Sequence, residues 1–376
     1  MIVDDRKRCV LISLTIDGLK DMLGSLDYSK IELIAMVSDS NDDIDVRIDN
    51  RRVPFFDFSR LDEVINTIDS DDIYYLIGGY RRHIREFGLL NRIIRLFGRV
   101  NRERIVNLSL LYEENWLIKY RYAMQGELEY FSTGISYMMS GLSLNDLPLG
   151  KGVNLAASSQ DIFYGLEIAK RVLKKNRNVK YALIGLSPYA FSYCMEESFS
   201  ARGMSTAYDI AWNSGGRSSI NRMFLKPSTF DWHDLDNKAY NPESDLWEKK
   251  LGLREILDVE SELRDILPSG DIHLILNNQK CLKEYIDLCR ENDCIPVGVV
   301  FPMAPLLQKK YPIDSLKEYR SILNNFSILY NFFTIDLWDM ELPMNCFYDL
   351  PHLNKCGAKL VTQRLYSELK KLKLTA

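Results

Sequence analysis

The sequence predicts an α/β protein with two domains, each built on a parallel sheet. Its 376 residues are enough for two separate hydrophobic cores. Short apolar runs alternate with helical stretches over roughly the first 110 residues, and this alternation is typical of βαβ units. The alternation starts again at Glu129 and continues almost to the end of the chain. We therefore expect a second α/β domain from that residue onward.

The first domain is predicted to span residues 1–110. A helical stretch from Ile16 to Leu26 follows its first strand, and a second helix runs through LDEVINTI (61–68). Strands that alternate with helices in this way favour a parallel sheet. The strand candidates are KRCVLISL (7–14), IELIAMVSDS (31–40), RRVPFFDF (51–58) and DIYYLIGG (72–79).

A linking helix is predicted over residues 111–128, and the second domain over residues 129–376. Five strand candidates with helices between them are the number found in a flavodoxin-like three-layer sandwich. The strand candidates are EYFSTGIS (129–136), GVNLAAS (152–158), KYALIGLS (180–187), IPVGVVFP (295–302) and FFTIDLWD (332–339). The helical stretches are 160–176, 276–291, 315–330 and 355–372.

An insertion of about residues 198–266 interrupts this second pattern. It is too polar and too rich in turn residues for the central sheet, so we expect a lid or a substrate-facing excursion. Its aromatic rings could stack on sugars, and core packing is an equally good use for them. These aromatic residues are Tyr208, Trp212, Phe230, Trp232 and Tyr240.

Charge and hydropathy exclude several classes of function. The net charge of -4 gives no reason to expect nucleic-acid binding. No apolar run approaches the roughly 18 residues needed to cross a bilayer, and the first residues contain no secretory signal, so we expect a cytoplasmic protein. The arginine-rich stretch 81–104 could make a peripheral contact with a membrane or an anionic ligand, or could be an ordinary surface helix. The oligomeric state stays open.

Neither a metal nor a cofactor is predicted. The seven cysteines are scattered and complete no zinc pattern, which favours free thiols in a reducing compartment. The acidic residues around His233 are better explained as a solvated loop than as a metal site. The first helix is preceded by no glycine-rich turn, with only Gly18 nearby, so a dinucleotide has no seat there.

Side chains that follow the strands of the second domain are candidates for catalysis, because ligands of open parallel sheets bind at the carboxyl ends of the strands. Ser136 follows the first strand, and Asp349 and His352 follow the fifth. A hydroxyl attacks a carbonyl at neutral pH when a histidine takes its proton and a carboxylate orients that histidine. Each residue also has an ordinary alternative: Ser136 or Asp349 as a helix cap, and His352 as a packed or surface side chain.

The order Ser…Asp-x-x-His resembles that of the SGNH hydrolases, also called the GDSL family, and is closest to the branch that acts on polysaccharides. The likeness covers about residues 129–374 and rests on GIS (134–136), NLAASSQDIFY (154–164) and DLPHLNKCGAKLVTQRL (349–365). It implies a triad of Ser136, His352 and Asp349. It also implies an oxyanion or substrate-binding set of Ser159, Asn154, Gly134 and Ser187.

Three departures from the family pattern bear on activity. In the second block, the glycine that offers an oxyanion amide is replaced by Ser159, which still has an N–H. The family's first block is usually Gly-Asp-Ser and reads Gly-Ile-Ser here. Its third block, which lies between the segments 154–164 and 349–365, is usually Gly-x-Asn and reads GLSP (185–188), so the usual asparagine donor is missing. Loss of an oxyanion donor can cost about 100- to 1000-fold in rate. Ser187 or Tyr189 could take its place. The first domain is similar to the small Rossmann-like domains beside bacterial surface-sugar enzymes.

These observations lead to a principal hypothesis and two alternatives. The resemblance implies a serine-dependent esterase or O-acyltransferase that acts through an acyl-enzyme on an acylated carbohydrate in bacterial surface-polysaccharide metabolism. The first alternative is a non-catalytic binding or assembly module for polysaccharide biosynthesis that keeps the fold. The second is a nucleotide-sugar enzyme centred on the first domain.

Overall fold

Two compact units make up the chain. The first comprises Met1–Leu117 with Glu196–Asn237, and the second comprises Ile118–Met195 with Lys238–Ala376. The computed structural model describes residues 6–13, 15–39, 45–68, 72–78, 104–108, 114–195, 223–226, 238–251 and 270–372, with residues 208, 212, 259, 263 and 267.

The first unit contains a five-stranded parallel sheet in the order β5-β2-β1-β6-β7. Taken along the chain this is the order 3-2-1-4-5 of doubly wound sheets of the Rossmann type. The strands are β1 (Lys7–Ser13), β2 (Ile31–Ser38), β5 (Phe55–Asp57), β6 (Ile73–Gly78) and β7 (Ile105–Asn107), with a separate antiparallel pair β3 (Arg47–Ile48) and β4 (Arg51–Arg52). The helices are α1 (Ile16–Ser25) and α2 (Leu61–Ile68).

Strand β1 shows why this sheet has helices on both faces. Val10 and Ile12 belong to a core cluster that includes residues of α2, whereas Leu11 belongs to a second cluster that includes residues of α1. Successive side chains of a strand point to opposite faces, so a strand that is apolar throughout needs cover on both sides. The continuous run CVLI therefore specifies a central strand.

The second unit contains another five-stranded parallel sheet, in the order β12-β11-β10-β8-β9. Along the chain this is the order 2-1-3-4-5 that flavodoxin-like sheets have. The strands are β8 (Tyr130–Gly134), β9 (Gly152–Asn154), β10 (Tyr181–Gly185), β11 (Ile295–Val300) and β12 (Phe333–Asp336). The helices are α4 (Ser136–Gly141), α5 (Ile162–Lys175), α6 (Ile272–Glu291), α7 (Pro305–Lys310), α8 (Ile313–Tyr330) and α9 (Lys355–Lys371), together with α3 (Glu114–Ala123), whose residues up to Leu117 belong to the first unit.

The predicted α/β class and the two parallel sheets are confirmed, with all five predicted strands of the second sheet in place. The insertion differs from the prediction, because its first part belongs to the first unit. Phe224 and Leu225 lie in the core of that unit, and Leu225 forms an antiparallel bridge with Leu26. The apolar pair inside a polar stretch therefore completes the first core instead of extending the second.

Several predictions concern residues that the structure does not describe. The arginine-rich stretch lies outside the described residues up to position 103, and so do His233, Phe230 and Trp232. Within the described ranges, no helix is long and apolar enough to span a membrane. No group of three or more histidine, cysteine or acidic side chains could hold a metal ion in that same part of the chain.

Candidate active site

Ser136 is the first residue of α4, directly after β8. The turn between them depends on Gly134, whose φ is 134° and where an added Cβ would lie 2.7 Å from the carbonyl oxygen of Gly185. Only glycine fits such a close approach at this φ. The N–H of Gly134 donates to Oε1 of Gln160 at 2.6 Å, which fixes the turn from the other side. The capping position of α4 is occupied by Ile135, so Ser136 is not the helix cap.

The segment 346–356, CFYDLPHLNKC, is called the acid–histidine loop below. It is closed on itself, since Phe347 and Leu353 form an antiparallel bridge. Asn354 then caps α9 by accepting a hydrogen bond from the N–H of Gly357 at 3.1 Å. The helix cap is therefore Asn354, and Asp349 is free for another role.

Two contacts bring this loop to the carboxyl end of the sheet, although it follows the edge strand β12. The N–H of Ala304, just after β11, donates to the carbonyl oxygen of Leu350 at 2.8 Å. The N–H of Ser143, just after α4, donates to Oγ1 of Thr362 in α9 at 2.9 Å. The loop therefore passes the ends of the inner strands and reaches α4.

Ser136, His352 and Asp349 form a continuous hydrogen-bonded chain. Nε2 of His352 lies 2.7 Å from Oγ of Ser136, across a separation of 216 residues. Nδ1 of His352 lies 2.8 Å from Oδ1 and 3.0 Å from Oδ2 of Asp349. An ionised carboxylate only accepts hydrogen bonds, so Nδ1 carries the hydrogen and the lone pair of Nε2 faces the serine hydroxyl. This is the tautomer that a general base needs.

Aromatic rings hold the imidazole of His352 in place. The ring of Tyr137 stacks on it with a centroid distance of 5.2 Å, and the ring of Trp247 meets it edge-on at 5.3 Å. The side chain of His352 is still 18% exposed and that of Asp349 is 24% exposed. The two rings therefore shield the imidazole on two sides, while His352 and Asp349 remain accessible to a reactant.

Trp247 lies in the segment 238–251, which is anchored at several points. Lys119 of α3 forms a largely buried ion pair with Asp245, the two side chains being 4% and 13% exposed. The N–H of Lys355 donates to the carbonyl oxygen of Trp247 at 2.7 Å, beside the acid–histidine loop. Trp247 could not be predicted as a site residue, because a single tryptophan in a polar stretch has no periodic partner. Tyr137 was not predicted either, although its position directly after Ser136 was the available clue.

Ser159 has the backbone conformation expected of a second-block oxyanion residue. Its φ is 62°, in the left-handed region where glycine is favoured and where a serine is uncommon. The N–H groups of Ser159 and Ser136 form no hydrogen bond with any part of the chain that the structure describes. These two N–H groups are therefore candidates for the oxyanion donors.

Asn154 does not have the substrate-binding position that the resemblance implies. Its Nδ2 donates to the carbonyl oxygens of Met138 and Met139, at 3.0 and 3.2 Å. Its Oδ1 accepts from Oγ of Ser132 at 2.9 Å and from the N–H of Ala156 at 3.1 Å. The buried amide is fully used inside the protein, so Asn154 attaches β9 to α4 and positions Ser136 indirectly. Gly134 has a similar positioning role, because its N–H is bonded to a side chain.

Ser187 lines a small cavity behind the Ser136 turn. The residue is 3% exposed, and its Oγ has no hydrogen-bond partner among the described residues. The cavity holds about 20 Å³ of space, which is sufficient for one water molecule. It is also lined by Thr133 and Tyr285, whose hydroxyls are 2.9 Å apart. Burial raises the pKa of Tyr285 well above its ordinary value, so this wall of the cavity is uncharged.

Tyr189 was the second candidate to replace the missing asparagine. Its hydroxyl lies 3.4 Å from that of Tyr137, the residue whose ring stacks on His352. This contact places Tyr189 behind the imidazole stack and gives it a supporting role for Tyr137.

No protein-family model matches the chain, and no curated protein is similar to it.

Proposed function

We propose that this protein is a serine-dependent esterase or O-acyltransferase that acts through an acyl-enzyme. The observation that carries the proposal is the 2.7 Å contact between Oγ of Ser136 and Nε2 of His352, with Asp349 bonded to the far nitrogen of the ring. Donor-acceptor distances of about 2.6 to 3.2 Å are those that a nucleophile and its general base need.

In the first half-reaction, Oγ of Ser136 attacks the acyl carbon of an ester and its proton passes to Nε2 of His352. The carboxylate of Asp349 stabilises the imidazolium that forms. The N–H groups of Ser136 and Ser159 donate hydrogen bonds to the acyl oxygen as its negative charge develops. His352 then protonates the leaving alcohol, which departs and leaves an acyl group on Ser136.

In the second half-reaction, His352 takes a proton from water or from another hydroxyl, which attacks the acyl-enzyme. The proton returns to Oγ of Ser136 as the acyl group leaves. Water gives hydrolysis, whereas a sugar hydroxyl gives acyl transfer. The partially exposed His352 is compatible with either acceptor.

The family resemblance gives this reaction its substrate class. Three segments within residues 129–374, namely 134–136, 154–164 and 349–365, are similar to the first, second and last blocks of SGNH hydrolases of the polysaccharide branch. This similarity implies an acylated carbohydrate as the substrate. The observed strand order 2-1-3-4-5 is compatible with that family. Without the third-block asparagine, we expect two oxyanion donors instead of three and a turnover about 100- to 1000-fold below that of a complete site.

A non-catalytic binding or assembly module with the same fold is the alternative. The observation that favours it is the third block, where Ser187 is buried in place of the usual asparagine donor. Such a module would keep the pocket for an acylated carbohydrate without turning it over.

A fluorophosphonate probe distinguishes the two functions, because it reacts covalently only with an activated serine. We expect labelling of the folded wild-type chain and its loss in Ser136→Ala. Ser327→Ala is the matched control, since Ser327 is an exposed serine on α8 of the same unit. Wild-type protein that is folded and stays unlabelled would favour the binding module.

A further inference from the structure

Two cysteines stand at the two ends of the acid–histidine loop, where its backbone comes close to itself. Cys346 is its first residue, and Cys356, its last, lies in the first turn of α9. Cys356 is near enough to Cys346 to raise the pKa of its thiol. The backbone is equally close: the N–H of Asn354 donates to the carbonyl oxygen of Cys346 at 3.0 Å, and a Cβ on Gly357 would lie 2.2 Å from that same oxygen.

The two thiols differ in their access to solvent. Cys356 is exposed, whereas Cys346 is buried. Burial and the neighbouring Cys356 raise the pKa of Cys346 to about 11. A dissolved reagent therefore meets Cys356 first, and Cys346 reacts only with a group that is already attached to its neighbour.

We propose that Cys346 and Cys356 form a modification site, a thiol pair that low-molecular-weight disulfides such as glutathione disulfide convert into an intramolecular disulfide. The reaction proceeds by two thiol–disulfide exchanges. The thiolate of Cys356 attacks one sulfur of glutathione disulfide, and the first glutathione leaves as a thiolate. The sulfur of Cys346 then attacks the sulfur of Cys356 and displaces the second glutathione. The two protein thiols are oxidised, the reagent is reduced to two glutathione molecules, and these take up the two protons.

The disulfide would clamp the acid–histidine loop in the observed conformation. The bridge between Phe347 and Leu353 already joins the two arms of the loop, so the new bond connects segments that are in contact. Asp349 and His352 lie between the linked cysteines and would be held at their present separation. The oxidation of the thiol pair is independent of the proposed function. An effect of the clamp on catalysis, by contrast, rests on the proposed function.

A second pair of cysteines serves as an internal control. Cys289 and Cys294 are also neighbours: Cys294 raises the pKa of Cys289, and the N–H of Cys294 donates to the carbonyl oxygen of Cys289 at 2.9 Å. Both are buried, at 0% and 2% exposure. Proximity is therefore common to the two pairs, and solvent access is what distinguishes them.

Peptide mapping of the folded full-length chain tests the proposal. The protein is incubated with glutathione disulfide, its free thiols are alkylated, and it is digested with trypsin without reduction. Cleavage after Lys355 separates the two cysteines into the peptides 321–355 and 356–359, so only a disulfide keeps these peptides together. We expect the linked pair to appear, to be removed by dithiothreitol, and to be absent from Cys356→Ser and Cys346→Ser. Cys194→Ser should still form it.

Other products would overturn the proposal. A stable glutathione adduct on Cys356 without the linked peptides would show that Cys346 cannot resolve it. An unmodified Cys356 would show that the exposed thiol does not react with the reagent, and a Cys289–Cys294 link that forms first would show that solvent access does not decide which pair is oxidised. If the linked peptides appear but Ser136 is never labelled by the fluorophosphonate, the thiol pair stands and the proposed esterase fails.

Thermal unfolding tests the clamp separately. The oxidised wild-type protein should unfold at a higher midpoint than the reduced protein, because the loop cannot open. Cys356→Ser should show no change with oxidant. An oxidised protein that melts at the same or a lower temperature than the reduced protein would contradict the clamp.

Discussion

Replacing Asp349 with asparagine tests the role of the carboxylate with little change in shape. Oδ1 of Asp349 accepts from both the backbone N–H and Nδ1 of His352, each at 2.8 Å. If the asparagine oxygen takes the place of Oδ1, its NH2 group takes the place of Oδ2, 3.0 Å from Nδ1, where it opposes an imidazole hydrogen and favours the tautomer in which Nδ1 is the acceptor. The imidazole hydrogen moves to Nε2 and points at Oγ of Ser136, so the base has no lone pair for the serine proton.

The same change of tautomer in serine proteases lowers kcat by about 10,000-fold, which corresponds to about 5.4 kcal/mol at 1.36 kcal/mol per factor of ten. We expect a loss of that order in Asp349→Asn, measured as the rate of nitrophenol release from p-nitrophenyl acetate. Asp314→Asn, at a carboxylate that is 91% exposed, is the matched control and should keep the wild-type rate. A rate for Asp349→Asn within tenfold of wild type, in protein with unchanged circular dichroism, would refute the tautomer argument.

Three further substitutions test the supports of the site. Gly134→Ala should lower the free energy of unfolding by about 2 to 4 kcal/mol in urea titrations, because the new Cβ has a strained φ and a backbone clash; a loss under 1 kcal/mol would contradict it. Trp247→Ala should slow ester hydrolysis about 10- to 100-fold by loosening the histidine, while Trp247→Phe keeps a ring edge there and restores most of the rate; equal rates in both variants would count against this role. Lys119→Met should lower the free energy of unfolding by about 3 kcal/mol, because it leaves the largely buried carboxylate of Asp245 without its partner. Lys317→Ala, at an exposed ion pair, is the control and should change stability by less than about 0.5 kcal/mol. Similar losses in the two variants would overturn this interpretation.

The sequence was most informative where local pattern and topology act together. The buried run of β1 and the five strands of the second sheet are visible as apolar segments, because a strand covered on both faces must be apolar throughout. Ser136 and His352 could be paired in advance because parallel strands bring their carboxyl ends to one edge of a sheet. The Asp-x-x-His spacing then supplied the third member of the chain, Asp349.

The remaining features depend on long-range packing that no local pattern encodes. Trp247 reaches His352 because the segment 238–251 is anchored by long-range contacts, among them the ion pair between Asp245 and Lys119, far away in the chain. Asn154 is the last residue of β9, at the end of the strand where a substrate ligand is expected, yet its amide turns inward to the carbonyls of α4. Phe224 shows the same limit for domain boundaries. Its local sequence does not tell which of the two cores it packs into, because long-range folding decides that.

The most direct test of the acyl-enzyme is to trap the acyl group on the residue that carries it. The protein is mixed with an aryl acetate, quenched in acid within the first turnover, and digested with trypsin, which places Ser136 in the peptide 122–151. The account predicts an acetyl group on Ser136 in the wild-type protein and a much slower appearance of that group in His352→Gln. An acetyl group on a different residue, or equal rates in the two proteins, would contradict it.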